Sequence, residues 1–262
     1  MEKLSQVDKD GFIATEVSFE HIDPQFENMI KVTTEKIQSA LDSKLHSLYL
    51  YGSVATGRAK TGQSDLDVLL VLQEEPTEPT NKQIRDIKTE LSDAFVKQVR
   101  EVGIARTYLA EIEEGSESLG LHVFLKHLCL CLSGKDLRKD IGKFKPTKRV
   151  ATALNGDAPE VLERLWRKYE DAKSQNEKSR IRASIARKIL RTGLCFAMAQ
   201  KEVWATERNA MAQLFLSCYP EHRQHIDIAL QATDEFLPVT TDQLQSIKEF
   251  SQWVAHEAKR VF

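Results

Sequence analysis

The stretch LYLYGSVATGRAKTGQSDLDVLLVL, residues 48–72, decides how this chain is read. It begins with an apolar, aromatic run that stops at Gly52-Ser53 and ends with Asp65-Leu66-Asp67 and five further apolar residues. A strand that ends in Gly-Ser and passes into a short helix lets backbone N–H groups and a helix N-terminus approach a phosphate, and glycine permits the tight turn. Asp65 and Asp67 stand two apart at the head of a second strand, so both carboxylates project from one face. Two such carboxylates repel each other unless a divalent cation lies between them. Mg²⁺ takes oxygen ligands of this kind and shares its remaining positions with substrate phosphates. Gly-Ser alone, or an Asp pair alone, is an ordinary turn feature. The two together, eleven residues apart and with Ser64 directly before the pair, are far more specific.

Outward from this segment, residues 45–51 and 65–72 read as strands. Residues 24–41 carry Phe26, Met29, Ile30, Val32, Ile37 and Leu41 at nearly helical spacing. Residues 81–99 do the same with Ile84, Ile87, Leu91, Phe95 and Val99. Residues 99–108 read as a third strand, interrupted by Gly103, which departs from the β-branched pattern of strands. The apolar run 119–132, broken by Lys126 and His127, is helix-like and contains Cys129 and Cys131. Residues 142–156, rich in Lys, Thr, Pro and Gly, read as a linker. Beyond Pro159, helical spacing recurs through 161–169, 181–198, 210–218, 225–236 and 244–262, with Pro220 and Pro238 as punctuation, which describes a helical bundle.

Composition narrows the function classes. A chain of 262 residues, 41% hydrophobic and 29% charged, suits two modest domains. Lysine plus arginine (37) nearly balance aspartate plus glutamate (39), so the chain as a whole lacks the basic field of a protein that coats nucleic acid. The opening MEKLSQVDKDGF has no signal-peptide core and no apolar run is long enough for a membrane span, so the expected location is cytoplasmic. The four cysteines lack CxxC or Cys/His zinc spacing and read as reduced thiols. His222 and His225 read as surface or cap residues, and Trp166, Trp204 and Trp253 as core.

Residues 48–72 resemble the signature of the DNA polymerase β-like nucleotidyltransferases: Gly-Ser, roughly ten residues, then Asp-x-Asp on an apolar strand. More loosely, Gly134-Lys135-Asp136-Leu137-Arg138, Tyr219-Pro220-Glu221-His222 and the last helix with Glu249-Phe250 and Trp253-Val254 resemble the aminoglycoside nucleotidyltransferases of that superfamily. The resemblance implies an α/β (α+β) nucleotidyltransferase domain with a small mixed sheet over residues 1–142, followed by an all-α helical bundle domain over 143–262. It implies a third carboxylate between residues 96 and 114. Glu101, in Arg-Glu-Val-Gly-Ile-Ala, is the choice, with Glu111, Glu113 and Glu114 as alternatives. Two Mg²⁺ ions held by Asp65, Asp67 and Glu101 would then stabilise in-line displacement of pyrophosphate. Gly52, Ser53 and Ser64 would hold the nucleotide. Arg187 and Arg191, with Arg180 near the same helix face, and Arg208, where related helical domains carry a phosphate-reaching lysine, are candidates for the triphosphate; a solvated charged face is the competing reading.

The expected reaction is transfer of a nucleoside monophosphate, AMP from ATP, to a hydroxyl of a small molecule such as an aminoglycoside-type antibiotic. Glu113, Glu114, Glu117, Asp171 and Glu177 are the acids that would suit a cationic acceptor. Two other readings stay open: transfer to RNA ends or to a protein, supported by the basic stretch 139–149, and a nucleotide-binding partner module without turnover. The acceptor, the preferred triphosphate and the oligomeric state are not specified by the sequence.

Overall fold

The two central strand segments carry apolar side chains on both faces, which requires a layer of helix on each side. The computed structural model describes residues 4–113 and 118–262, and divides the chain into two compact units. Thr15–Lys143 form the sheet unit. Its strands β1 (Leu45–Tyr51), β2 (Leu66–Leu72), β3 (Val102–Tyr108) and β4 (Cys129–Gly134) lie in the order β3-β2-β1-β4. β1 is antiparallel to β2 and β4, whereas β3 runs parallel to β2, so the sheet is small and mixed, as expected from the sequence.

The helices of this unit are α1 (Glu27–Leu41), α2 (Gly52–Ala55), α3 (Glu78–Ala94), α4 (Leu109–Glu113) and α5 (Leu119–Leu128). Period-two alternation sorts the strand residues between two cores. Leu48, Leu50, Leu66, Val68 and Leu70 pack with Ile37 of α1 and with Ile84, Ile87 and Leu91 of α3. Tyr49, Leu69, Val71 and Cys129 face Ile112 of α4 and Leu125 of α5. Asp65 and Asp67, in step with Leu69 and Val71, belong to this second face.

Three expectations are corrected. The helical pattern of 81–99 stops at Ala94, because Phe95 leaves helical geometry; the N–H groups of Gln98 and Val99 both turn back to the Phe95 carbonyl, at 2.9 and 3.0 Å. The apolar run 119–132 is not one helix. It ends as α5 at Leu128 and continues as β4, where Cys129 and Cys131 pair with Tyr51 and Tyr49. A short continuous apolar run carries no period that separates helix from buried strand. Within the expected linker 142–156 lies helix α6 (Lys148–Asn155), capped by Thr147 and burying Val150 and Ala151.

The other unit comprises the residues up to Ala14 and those from Phe144 onward. Its helices continue as α7 (Ala158–Asp171), α8 (Gln175–Lys201), α9 (Arg208–Leu216), α10 (Arg223–Ala232) and α11 (Thr241–Val261). The 27-residue α8 packs against α6, α7, α9, α10 and α11. Its buried side chains Ile185, Ile189 and Phe196 share a core with Phe215, Ile226, Phe250 and Val254. The residues before Ala14 were expected with the sheet domain, but they hydrogen-bond to the helical unit. Gln6 N–H donates to the Trp204 carbonyl at 2.7 Å, and Ile13 N–H to the Phe144 carbonyl at 2.8 Å. An irregular strap of this kind has no periodicity to read. His222 sits at the N-cap of α10 as expected, yet its ring centroid is 3.9 Å from that of Trp253, and burial holds its pKa below the ordinary 6.5. No helix among the described residues is long and apolar enough to cross a membrane.

Candidate active site

Asp67 stands near the start of β2, opposite Tyr51 of β1 and opposite Gly103 of β3. The chain leaves β1 through Gly52, whose φ of +77° is a left-handed conformation that L side chains rarely adopt. A Cβ on Gly52 would lie 2.5 Å from Asp67 Oδ2, and a Cβ on Gly103 would lie 2.7 Å from Asp67 Oδ1. The Asp67 carboxylate therefore fits into a cradle that exists only because both neighbouring positions lack a side chain. Gly103, an irregularity by strand propensity, is the residue that makes room for this acid. Ser53 follows in the first turn of α2, half-buried. Ser64 closes the turn that leads into β2: its hydroxyl accepts the Lys60 N–H at 2.9 Å.

The two other expected carboxylates are each held by a cation. Asp65 takes a two-pronged contact from Arg100, with Nε donating to Oδ1 at 2.9 Å and Nη2 donating to Oδ2. Glu101 lies at the same end of the sheet, since its carbonyl accepts the Leu66 N–H at 3.1 Å. Its carboxylate, however, is 3.2 Å from Lys88 Nζ of α3, a helix on the opposite face of the sheet from Asp67. β3 is an edge strand, so a side chain at its start can turn around the edge in this way. Among the described residues no three His, Cys, Asp or Glu side chains gather into a metal-binding group, so the expected triad is not assembled here.

The alternatives to Glu101 are placed elsewhere. Glu111 accepts the Thr107 hydroxyl at 2.7 Å, and Thr107 pairs with Val71, four residues along β2 from Asp67, or roughly 13 Å at strand rise. Glu113 acts electrostatically on His46, next to Leu45, whose partner is Leu72 at the far end of β2. Glu114 and Glu117 lie outside the described residues. Asp171 and Glu177 belong to the helical unit, at the end of α7 and in the first turn of α8.

The candidate nucleotide arginines also belong to the helical unit. Arg187 Nη1 donates to the Thr233 carbonyl at 3.4 Å, and Arg208 Nη1 to the Thr233 hydroxyl at 3.2 Å. That hydroxyl in turn donates to the Leu230 carbonyl at 2.7 Å. Arg182, almost fully buried, donates to the Asp234 carbonyl at 2.8 Å, and burial lowers its pKa. Three guanidinium groups thus meet the C-terminal end of α10, where unpaired carbonyls favour cations. Arg191 lies one turn beyond Arg187 on α8, and Arg180 Nε is 3.9 Å from Glu235. Sequence reasoning missed Arg100, Lys88 and Thr233. Only Arg100 carried a signal, as the neighbour of Glu101.

The site thus consists of a strand, a glycine turn and a short helix beside an Asp-x-Asp strand. Residues 35–113 match the family model described as Polymerase beta, Nucleotidyltransferase. In fold it is similar to spectinomycin adenyltransferase AAD(9) from Enterococcus faecialis, whose structure was determined with ATP and spectinomycin. The likeness has a TM-score of 0.55 at 17% identity and covers 88% of this chain and 98% of that one. It extends over the sheet and helical units alike and concerns the fold. Among curated proteins none matches.

Proposed function

We propose that this chain transfers AMP from ATP to a hydroxyl of a small cationic acceptor of the aminoglycoside type. The observation that carries the reading is the Asp67 cradle: a carboxylate on a rigid strand, packed against the phosphate-type turn at Gly52 and given room by Gly103. The fold shared with an adenyltransferase crystallised with ATP and an antibiotic supports the choice of nucleotide and acceptor class.

The donor set fits Mg²⁺. Asp65 and Asp67 offer only hard carboxylate oxygens, and each Asp65 oxygen keeps an acceptor position beyond the one used by Arg100. Mg²⁺ bound there would supply Lewis-acid stabilisation of charge at the α-phosphate. The chain's own residues do the rest. The Gly52-Ser53 turn holds the leaving phosphates through backbone N–H groups. Glu101, once exchanged from Lys88, takes the proton of the acceptor hydroxyl. The acceptor oxygen bonds to the α-phosphorus as the bond to the β-phosphate bridging oxygen breaks, and pyrophosphate leaves. Arg187, Arg191 and Arg208 are the residues we assign to the triphosphate.

The test is incubation with each α-labelled nucleoside triphosphate, Mg²⁺ and separate panels of aminoglycosides, RNA and protein. Label from ATP on an aminoglycoside is the expected outcome. Label on RNA or on protein instead would replace the acceptor class, and no label anywhere would leave a nucleotide-binding module.

A further inference from the structure

Glu101 stands on the side of the Asp pair by its backbone and away from it by its carboxylate. Asp67 is the partner of Gly103 on β3, and a Cβ at 103 would point at Asp67 Oδ1. Glu101 lies two residues earlier, immediately ahead of β3 and already paired to β2 through its carbonyl. Period-two alternation therefore sends its Cβ to the Asp67 face, roughly 7 Å from position 103. The carboxylate nevertheless ends 3.2 Å from Lys88 Nζ of α3, on the other face. The backbone here is fixed. The Glu101 carbonyl accepts the Leu66 N–H at 3.1 Å, which turns the next N–H, of Val102, outward from the edge of the sheet. Val102 is fully buried, so that N–H needs an acceptor. Ser92 Oγ of α3 supplies it at 3.0 Å and itself donates to the Lys88 carbonyl at 2.7 Å. One turn of α3 thus grips two consecutive residues, the peptide through Ser92 and the acid through Lys88.

We infer that Lys88 and Ser92 are positioning residues for the third acid: Ser92 holds the Glu101–Val102 peptide in place, and Lys88 offers the Glu101 carboxylate a second seat, from which it swings to the Asp pair when a cation arrives. This rests on the nucleotidyl-transfer reading of the site and concerns how its proton acceptor is held. The two attachments are unequal. A hydrogen bond to a buried N–H has no water to replace it, whereas a single-point pair between side chains 41% and 42% exposed is screened and weak. The backbone therefore stays and the side chain moves. The swing needs only rotation of the Glu101 side-chain torsions, because the Cβ already faces the Asp67 side of the sheet. A third carboxylate there adds to the negative charge of the Asp pair, and Lys88 draws it out of that field. A bound cation reverses the sign.

The test is a Mn²⁺ titration of the full chain without nucleotide, following free ion by electron paramagnetic resonance, since a carboxylate on the Asp face adds to cation affinity and one seated on Lys88 does not. Lys88→Met should bind Mn²⁺ roughly 2–5-fold more tightly than the wild type, the range that a pair of this exposure can hold back. Lys88→Arg, which keeps the pair, should bind as the wild type does. Ser92→Ala frees the peptide and should bind several-fold more weakly, with Ser92→Thr restoring the affinity. Both effects should vanish in the Glu101→Gln background. That control separates positioning from mere loss of a nearby charge or of sheet stability, either of which would persist without the acid. Equal affinity of the wild type and Lys88→Met, or a gain that survives Glu101→Gln, would overturn the inference. Lys88 is part-exposed, so this arm stands even if Ser92→Ala fails to fold. Failure of the underlying reading looks different: Glu101→Gln alone would then match the wild type in Mn²⁺ affinity, and residue 101 would be no third acid.

Discussion

The sheet unit and the helical unit hold their charges in contrasting ways. At the head of β2 the acids meet other ionised side chains: Asp65 is paired with Arg100, and Glu101 with Lys88 across a partly exposed gap. In the helical unit the arginines donate to backbone carbonyls and a buried hydroxyl at the end of α10, with Asp234 and Glu235 beside them. Ion pairs between side chains can be exchanged for a ligand of the right charge. A guanidinium bound to carbonyls is held in orientation by neutral groups, and here the acids Asp234 and Glu235 lie close by as well. The sheet unit is therefore suited to recruit a cation by exchange, whereas the arginines of the helical unit are fixed in place by backbone acceptors.

The largest expected effect breaks this comparison on the sheet side. Asp67→Asn keeps shape and removes charge, so turnover should fall by at least about 10²–10⁴-fold while the melting temperature stays within a few degrees. Steady-state rates and a thermal scan of the same preparation check it; wild-type turnover would deny Asp67 its role.

Gly103→Val comes next, because its Cβ would lie 2.7 Å from Asp67 Oδ1. Since β-branched residues suit strands, propensity alone predicts a gain in stability, whereas the cradle predicts displacement of Asp67 and loss of transfer by on the order of 10²-fold. A variant that is more stable and equally active would show the glycine to be incidental.

On the helical side, Thr233→Val removes the acceptor used by Arg208 and the donor to the Leu230 carbonyl. We expect a loss of about 0.5–1.5 kcal/mol in unfolding free energy, the net worth of a hydrogen bond, since Arg208 is exposed and can turn to water. KM for ATP should rise several-fold with kcat nearly constant, and Thr233→Ser should restore both. An unchanged KM would make the arginine cluster purely structural.

The smallest effect is a pH dependence. Burial lowers the pKa of His222 below 6.5, so the unfolded chain binds a proton there more readily than the folded one. The contribution of neutral His222 to stability is present above pH 6.5 and is lost as pH falls through the lowered folded value. Glu257, held below 4.5 first by its hydrogen bonds from Arg260, behaves likewise at lower pH. Denaturant midpoints of the wild type and His222→Gln should converge as pH drops below 6.5. Parallel curves would sink this account.

Much of the sheet unit is legible in the sequence because its cores are periodic. Leu66, Val68 and Leu70 alternate with Leu69 and Val71, and Ile84, Ile87 and Leu91 repeat at helical spacing. β4 is not legible, since Cys129 to Leu132 continue the apolar content of α5 without a change of pattern. At the candidate site the Asp pair and Gly52 can be read directly, whereas Arg100 and Lys88 cannot. Which cation meets which acid depends on how far β3 is displaced along β2 and on the turn at Phe95, neither of which leaves a local mark. Thr233 is hidden for the same reason: its partners come from α8 and α9, 46 and 25 residues away.

The strap ahead of the sheet unit has a consequence for biosynthesis. Trp204 N–H donates to the Ser5 hydroxyl across 199 residues of chain, a separation that takes roughly 10–40 s to translate at about 5–20 residues per second. During that interval the contiguous segment Thr15–Lys143 is completed and can fold, while the strap has no partner until the helices have been made. The sheet unit is thus an insertion within the chain path of the helical unit, and the hydrogen bond between Ile13 and Phe144 holds the two edges of the insertion together. A gene fragment spanning 15–143 would cut the chain at both of those edges, and the shortened 1–14/144–262 remainder could be rejoined by a brief loop.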